Sequence, residues 1–289
     1  MLKIAMKVLR LKVLRLILFV IYRKSGSKIN RWGTVTSPRE LEIQRCPLLG
    51  ERSRSLVSQL RPMILEVNML KRYGSFADGG YVIPINAVND SKFLISGGIE
   101  KNNEFEIELA NLGIVGIQID NSIDTPPKEH KNLTFKRATL GGKGGVLIDA
   151  LLKSFDSTSQ GMLKLDIEGS EYETLSEVES FARFTTIIVE LHNLFKIVED
   201  QFWEDLKSIL NNFSKSHSVV FLAPNNCCGF SIIGGVPIPN VLEVTWARND
   251  LVSGKKFTRL AGLHPEKTPT NIAHRAQLDV SNIFPSESL

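Results

Sequence analysis

A group of carboxylates follows an apolar segment at positions 162–171, which read Met-Leu-Lys-Leu-Asp-Ile-Glu-Gly-Ser-Glu. The apolar start predicts a buried strand, and Asp166, Glu168 and Glu171 lie at or just beyond its end. In an open α/β sheet, ligands bind outside the carboxyl ends of the strands, so these acids are candidate site residues. The alternative is an acidic loop that caps the following helix, with Asp166 or Ser170 accepting hydrogen bonds from free amides.

A second strand breaks into a pair of glycines. Residues 92–100 read Lys-Phe-Leu-Ile-Ser-Gly-Gly-Ile-Glu, and an amphipathic helix is predicted to follow over 102–110. Glycines at a strand-to-helix turn let the backbone approach a bound ligand closely. We therefore predict that Ser96, Gly97 and Gly98 contact a cofactor. An ordinary turn is the alternative, because the pattern is not GxGxxG.

A third strand end carries another carboxylate. The apolar run over 113–119 stops at Asp120, about 20 positions after the glycines, which is the spacing of the ribose-binding acid in doubly wound folds. A carboxylate accepts two hydrogen bonds from a ribose diol, so Asp120 and its neighbour Asn121 are predicted to bind the cofactor. Turn initiation by the same two residues is the alternative.

The segment Leu163 to Glu171 resembles the signature of the FkbM-type S-adenosylmethionine-dependent methyltransferases, in which a strand ending in Lys-(Ile/Leu)-Asp-(Ile/Val)-Glu-Gly-x-Glu lines the methyl-transfer site. Two further segments, Arg-x-Gly…Asp-Gly-Gly-Tyr-Val at 72–82 and Glu-x-His at 190–192, also resemble that family. The resemblance implies a Rossmann-like class I methyltransferase with a mostly parallel seven-stranded α/β sheet and an antiparallel last strand. It implies S-adenosyl-L-methionine as the cofactor, with Asp166 near the transferred methyl group, and O-methylation of a sugar, glycan or related small molecule.

Local charge favours the same cofactor independently of the resemblance. Glu100 and Glu104 lie at the predicted start of the helix after the glycines, where negative charge would repel the phosphates of a dinucleotide. A positively charged sulfonium would be attracted instead. S-adenosyl-L-methionine is therefore preferred over a nicotinamide cofactor.

A β-branched segment over 184–193 predicts a further strand, which ends near Glu190 and His192. The period of two places both side chains on one face. A carboxylate and an imidazole together can act as a base and its orienting partner, which an alcohol needs before it attacks a methyl group. His192 is the predicted base, and Glu190 and Asp166 complete the catalytic set. A purely structural hydrogen bond between Glu190 and His192 is the alternative.

Four polar residues are predicted to bind the hydroxylated acceptor: Tyr81, Glu168, Asn225 and Asn226. Tyr81 follows an Asp-Gly-Gly turn between two short strands, and the asparagines follow a strand that a second strand over 241–246 closes as a hairpin. A hairpin and a turn without ligand roles are the alternatives.

The chain contains three cysteines, Cys46, Cys227 and Cys228, without a CxxC pair. Neither a zinc site nor a disulfide is predicted, because adjacent cysteines rarely satisfy disulfide geometry. We expect buried apolar cysteines in a reducing compartment, the cytoplasm. No metal is predicted, although two acids and a histidine could instead bind a divalent ion.

The length of 289 residues and a 43% hydrophobic content support one substantial core. We divide the chain into a basic amphipathic helix at 1–28, an N-terminal extension at 29–91, a methyltransferase core at 92–248 and a tail at 249–289. The first segment contains no acid. Residues 1–24 are predicted to lie on the inner face of a membrane. A partner-binding helix or a signal peptide is the alternative.

The net charge is +4, and the first segment alone carries eight bases and no acid, so the remainder is slightly acidic. The remainder shows no basic stripe with interleaved aromatic residues, so a nucleic-acid partner is not predicted. Two competing functions stay open: a non-catalytic, membrane-associated binding protein that retains a methyltransferase fold, and a nicotinamide-dependent oxidoreductase.

Overall fold

A computed structural model of the protein describes residues 28–29, 35–36, 38–63, 65 and 69–252. The predicted membrane-surface helix, apart from Lys28, and the predicted tail beyond Val252 lie outside these residues. Within the described part of the chain, no helix has the length and apolar character needed to cross a bilayer.

Seven strands form the central sheet: β5 (Phe93–Gly97), β6 (Val115–Ile119), β7 (Leu133–Lys136), β8 (Gly161–Leu165), β9 (Phe184–Leu191), β10 (His217–Pro224) and β13 (Leu242–Arg248). Three two-stranded ladders pair β1 (Lys28–Ile29) with β2 (Val35–Thr36), β3 (Leu70–Gly74) with β4 (Gly80–Pro84), and β11 (Phe230–Ile233) with β12 (Val236–Pro239). The helices are α1 (Pro38–Arg45), α2 (Pro47–Gln59), α3 (Ile85–Asp90), α4 (Glu104–Asn111), α5 (Ile148–Leu152), α6 (Glu171–Ser176), α7 (Asp200–Ser214) and α8 (Asn249–Val252), with a 3-10 helix at Leu194–Val198.

The strand order across the central sheet is β10-β13-β9-β8-β5-β6-β7. The strands from β5 to β9 pair in parallel, whereas β13 lies antiparallel between β9 and β10. The predicted α/β class and the mostly parallel seven-stranded sheet are confirmed, and the arrangement is compatible with a Rossmann-like fold. The chain reverses its direction of travel across the sheet between β5 and β8, which is where such folds open a crevice for ligands.

The central strands are apolar because helices cover both faces of the sheet. Every residue of β8 and β9 is buried, whereas the edge strand β7 alternates between half-buried and exposed positions. Near-continuous apolar runs are typical of parallel strands that are buried on both faces. This burial leaves the strand ends as the place where polar side chains can reach solvent.

The β3–β4 hairpin forms around the predicted Asp-Gly-Gly turn, with Gly74 paired to Gly80. Tyr81 of this hairpin packs in one hydrophobic cluster with Phe105 of α4 and Ile188 of β9. The hairpin and the central sheet thus share a hydrophobic core, so the predicted boundary after residue 91 does not separate two independent cores.

Candidate functional site

Two adjoining pockets open at the carboxyl ends of the parallel strands. The first, called the Asp120 pocket, is lined by Gly98, Glu100, Ile119, Asp120, Asn121, Ser122, Ala138, Thr139, Leu140, Asp166, Ile167, Glu168 and Ser170. The second, called the His192 pocket, is lined by Asp78, Gly79, Tyr81, Gly98, Ile99, Glu100, Lys101, Asn102, Lys164, Asp166, Glu168, Glu190, His192, Asn225, Cys227 and Cys228. The His192 pocket has a volume of about 370 Å³, which lies within the range of small-molecule sites.

Four residues, Gly98, Glu100, Asp166 and Glu168, line both pockets. Asp166 immediately follows β8, as the sequence predicts, and only about a fifth of its side chain is exposed. A ligand that fills the Asp120 pocket would therefore meet a second ligand in the His192 pocket beside the Asp166 carboxylate.

Asp166 is held by the hairpin and by its own strand. The Tyr81 hydroxyl donates a hydrogen bond of 3.0 Å to Asp166 Oδ2, and Lys164 Nζ lies 3.9 Å from the same oxygen. Burial, reinforced by the charges of Asp166 and Glu190, raises the pKa of Tyr81 well above its usual value. Tyr81 therefore stays protonated and acts as a hydrogen-bond donor.

The glycine turn contributes backbone rather than side chains. Gly98 adopts φ +75°, and a Cβ at this position would lie only 1.6 Å from the Asp166 carbonyl oxygen. Gly97 packs against apolar side chains, and its carbonyl accepts the Asp166 amide at 3.0 Å. The Ser96 hydroxyl is fully buried and donates to Glu106 below the turn. Of Ser96, Gly97 and Gly98, the three residues of this turn that were predicted to contact the cofactor, only Gly98 lines the pockets.

Asp120 lines its pocket, but its carboxylate already binds the surrounding loops. Oδ2 accepts the backbone amides of Ile99 and Glu100 at 2.9 Å each, and Oδ1 accepts the amide and hydroxyl of Ser122 at 2.7 and 2.6 Å. Burial opposes ionisation, yet these hydrogen bonds outweigh it and hold the pKa of Asp120 below its usual value. Because a carboxylate has about four acceptor positions, a ribose diol would have to share or replace these bonds.

The far wall of the Asp120 pocket contains residues that sequence reasoning did not select. Asn121, which it did select, donates a 3.0 Å hydrogen bond to the Thr139 hydroxyl from the loop after β7. Ala138 and Leu140 flank Thr139 in the lining. Ala138, Thr139 and Leu140 contribute no charged side chain to this wall.

His192 is oriented by Glu171, not by Glu190. Its Nδ1 lies 2.9 Å from Glu171 Oε1, and its Nε2 lies 3.5 Å from Glu168. Burial lowers the pKa of His192, but the hydrogen bond and charge of Glu171, with Glu190 and Asp166, raise it to about 9. The imidazole is therefore protonated at neutral pH, and the predicted side-chain pairing of Glu190 with His192 is wrong. The fully buried Glu171 lies closer to Nδ1, and only the backbone carbonyl of Glu190 reaches that atom.

Glu190 has a different partner. Its Oε1 accepts a 2.7 Å hydrogen bond from Asn225 Nδ2, and β13 places Glu243 directly opposite Glu190 in the antiparallel register. Burial and the charge of Asp166 raise the pKa of Glu190 well above its usual value. Burial raises the pKa of Glu243 to about 7 despite the opposing effect of Arg72. The His192 pocket thus combines a protonated histidine with Glu190, a carboxyl group that resists ionisation, and Glu243 lies beside Glu190 outside the lining.

The residues predicted for the acceptor divide into two groups. Tyr81, Glu168 and Asn225 line the His192 pocket, whereas Asn226 is buried and does not belong to the lining of either pocket. Glu168 adopts φ +56° and its side chain is largely exposed at the mouth.

Asp166, Glu168 and His192 could also hold a metal ion. Each offers one ligand atom, and these atoms lie within 4.8 Å of one another. The buried Glu171 carboxylate at Nδ1 would fix the imidazole with Nε2 toward such an ion, as outer-shell carboxylates do in metal sites. The prediction that no metal is used stays untested.

The expectation of three unbonded cysteines is wrong for two of them. Cys227 and Cys228 form a disulfide in the loop after β10, and Cys46 is free. Adjacent half-cystines are uncommon, and spacing alone gave no indication that this loop brings the two sulfur atoms together.

No protein-family model and no curated protein matches this chain. Function is therefore inferred from the site itself.

Proposed function

We propose that the protein is an S-adenosyl-L-methionine-dependent methyltransferase that O-methylates a hydroxyl of a sugar, glycan or related small molecule. One observation carries the proposal: the Asp120 pocket and the His192 pocket meet at Gly98 and Asp166 outside the strand ends. Group transfer between two ligands requires such adjoining sites, since correct placement of the reactants contributes several kcal/mol of the barrier reduction.

The charge of the pocket walls supports a sulfonium donor. The lining of the Asp120 pocket includes four carboxylates, from Glu100, Asp120, Asp166 and Glu168, and no lysine or arginine. Phosphate would be repelled by this lining, whereas a positive centre would be attracted. The bound donor would supply an electrophilic methyl group on a positively charged sulfur.

The sheet order also favours this donor over a nicotinamide. Counted along the chain within the central sheet, the strands lie in the order 6-7-5-4-1-2-3, with the seventh antiparallel between the fifth and sixth. The dinucleotide fold has the order 3-2-1-4-5-6 and lacks such an inserted strand. The match with the sheet that the FkbM resemblance implies supports membership in that family.

The residues of the His192 pocket would bind and deprotonate the acceptor. Tyr81 and Asn225 offer neutral polar groups to a hydroxylated molecule. The acceptor oxygen would bond to the methyl carbon as its proton passes to a pocket side chain and the carbon–sulfur electron pair leaves with sulfur.

We keep His192 as the proposed proton acceptor, on the condition that its imidazole is neutral when the reaction begins. With a pKa of about 9 the imidazole must first lose a proton, and a nearby sulfonium charge would lower this pKa. Glu190, whose pKa is raised, is the other buried base within the pocket. Turnover that survives in His192→Gln but not in Glu190→Gln would assign the proton to Glu190.

Calorimetric titration with S-adenosyl-L-methionine tests the function directly. We expect a saturable heat of binding with S-adenosyl-L-methionine and no heat of binding with reduced nicotinamide adenine dinucleotide. If millimolar S-adenosyl-L-methionine gives neither a heat of binding nor a shift in the melting temperature, the proposal of an enzyme fails. Donor binding without transfer to any of a panel of glycosides would favour the alternative of a binding protein that retains the fold.

Treatment with a chelator distinguishes two roles for Asp166, Glu168 and His192: metal binding, or participation in a metal-independent reaction. Transfer activity that persists in excess ethylenediaminetetraacetate supports a metal-independent reaction. Loss of activity that returns with one divalent ion assigns Asp166, Glu168 and His192 to a metal.

A further inference from the structure

The disulfide between Cys227 and Cys228 forms part of the wall of the His192 pocket. It lies in the loop between β10 and β11, next to Asn225, which also lines the pocket. Cys228 is exposed and Cys227 is half-buried. A small reductant in solvent can therefore approach the disulfide from the side of Cys228.

Stabilisation of the fold does not account for this bond. The entropic benefit of a disulfide grows with the length of the loop that it closes, and here the loop joins neighbouring residues. Other bonds already hold the segment: Asn240 Nδ2 donates to the Cys228 carbonyl at 2.7 Å, and the Asn240 amide donates to the Gly229 carbonyl at 2.9 Å.

Two hydrogen bonds connect the disulfide to the buried acid of the pocket. The Cys227 amide donates to Asn225 Oδ1 at 2.9 Å, and Asn225 Nδ2 donates to Glu190 Oε1 at 2.7 Å. Asn225 is thus held from both sides, and a change in the backbone at Cys227 alters the group that orients the Glu190 carboxylate.

We propose that Cys227 and Cys228 form a thiol–disulfide exchange site that controls binding of the acceptor in the His192 pocket. A dithiol reductant attacks the sulfur of the exposed residue Cys228, the bond between the two cysteines breaks, and Cys227 leaves as a thiolate that takes up a proton. The second thiol of the reductant then displaces Cys228. The reductant ends as a disulfide, and the protein gains two electrons and two protons.

Reduction would act on only one of the two pockets. The freed side chains adopt independent rotamers at the wall, and the peptide that joins Cys227 to Cys228 loses the constraint of the small disulfide ring. The Cys227 amide, which lies next to this peptide, then follows the change in its backbone. The Asp120 pocket has no cysteine in its lining, so its ligand affinity is expected to stay constant. The predicted outcome is a change in acceptor use at constant donor affinity, an effect that rests on the proposed function.

The first test counts thiols in the purified full-length chain. Maleimide labelling is expected at Cys46 alone before treatment with dithiothreitol and at all three cysteines afterwards. Hydrogen exchange of residues 225–229 should become faster on reduction. Three reactive thiols in protein that was never reduced, and that was kept under air, would overturn the proposal.

The second test measures transfer of labelled methyl groups to a panel of neutral methyl glycosides. Reduction should change the acceptor KM by about fivefold or more, with the donor Kd within about twofold. The Cys227→Ser/Cys228→Ser variant should lose this response, whereas the matched Cys46→Ser control should keep it.

The two proposals fail in different ways. If the donor gives no heat but reduction still changes the thiol count and the exchange of residues 225–229, the methyltransferase proposal fails and the exchange site stands. If the donor binds and methyl transfer is measurable but reduction leaves acceptor use unchanged, the redox proposal fails alone.

Discussion

The Asp120 pocket and the His192 pocket share a floor, yet their walls are assembled differently. The Asp120 pocket consists of strand ends and the loops that directly follow them, and Asp120 ties two of these loops together through backbone amides. The His192 pocket gathers side chains from the β3–β4 hairpin and from the ends of β8, β9 and β10. Contacts between neighbouring loops shape the Asp120 pocket, whereas the His192 pocket depends on charged side chains that come from distant parts of the chain.

This contrast implies that the two pockets can be damaged separately, except at the four residues that line both of them. Gly98→Ala should give the largest effect, because the residue has φ +75° and its new Cβ would meet the Asp166 carbonyl oxygen. We expect loss of donor binding and of transfer together. Gly113→Ala is the matched control, since Gly113 has φ +93° and no atom lies within 4 Å of the point where its new Cβ would stand.

Both glycine variants carry the backbone cost of a left-handed alanine, about 1–2 kcal/mol. Only Gly98→Ala adds the steric displacement of the floor, so its free energy of unfolding should fall further. Chemical denaturation measures the difference. Equal destabilisation with intact donor binding in both variants would contradict the role that we assign to Gly98 in donor binding.

Asp120→Ala should act first on the Asp120 pocket, although Ile99 and Glu100, which it releases, also line the His192 pocket. It removes the hydrogen bonds that hold the amides of Ile99 and Glu100, and it removes a carboxylate from the wall. We expect the donor Kd to rise by about 100-fold or more, given the cost of losing several charge-assisted hydrogen bonds. Asp124→Ala, at an exposed residue paired with Arg137, should leave the Kd unchanged. Equal donor affinity in the wild type and Asp120→Ala would contradict the cofactor assignment.

His192→Gln should damage the His192 pocket alone. Glutamine still donates to Glu171 but accepts a proton poorly, so turnover should fall by about 10²-fold with an unchanged donor Kd. His130→Gln, outside both pockets, is the control. A rise in donor Kd that matches the fall in turnover would mean that the two pockets are not separable at this residue.

The smallest expected effect is a shift in pH dependence. Because the pKa of His192 is raised to about 9, wild-type turnover should increase with pH toward that value. Glu171→Gln removes the anion that raises this pKa, so the rising limb should move to lower pH. Glu173→Gln, on the exposed face of the same helix, should leave the profile in place.

The same pKa links pH to stability. A folded-state pKa above the unfolded value of 6.5 means that the contribution of protonated His192 is complete below pH 6.5 and is lost as the pH rises through about 9. Denaturation at several pH values should show this loss in the wild type and a flatter dependence in Glu171→Gln. Identical curves for the two proteins would exclude Glu171 as the cause of the shift.

The sequence was informative where apolar runs end in polar residues. The runs before Gly97, Asp120 and Asp166 predicted β5, β6 and β8, because parallel strands buried on both faces are apolar throughout. Since such strands end at the same side of the sheet, placing Asp120 and Asp166 in one crevice followed from this pattern.

Sequence reasoning failed where several partners competed for one side chain. A period of two made Glu190 and His192 neighbours, but Glu171, the first residue of α6, lies closer to Nδ1 in three dimensions. Ser96 was assigned to the cofactor although its hydroxyl turns to Glu106, which is nearly fully buried. These choices depend on packing between distant segments, which a single sequence does not encode as a local pattern.

The facing pair of Glu190 and Glu243 has a consequence for ligand uptake. Glu190 and Glu243 are neighbouring acids in surroundings of low dielectric constant, and the pKa values of both are raised. The pair therefore stays partly protonated near neutral pH. Entry of a cationic molecule favours their ionised forms, so its capture is accompanied by release of hydrogen ions to the solvent. The apparent enthalpy of capture should then vary with the ionisation heat of the buffer.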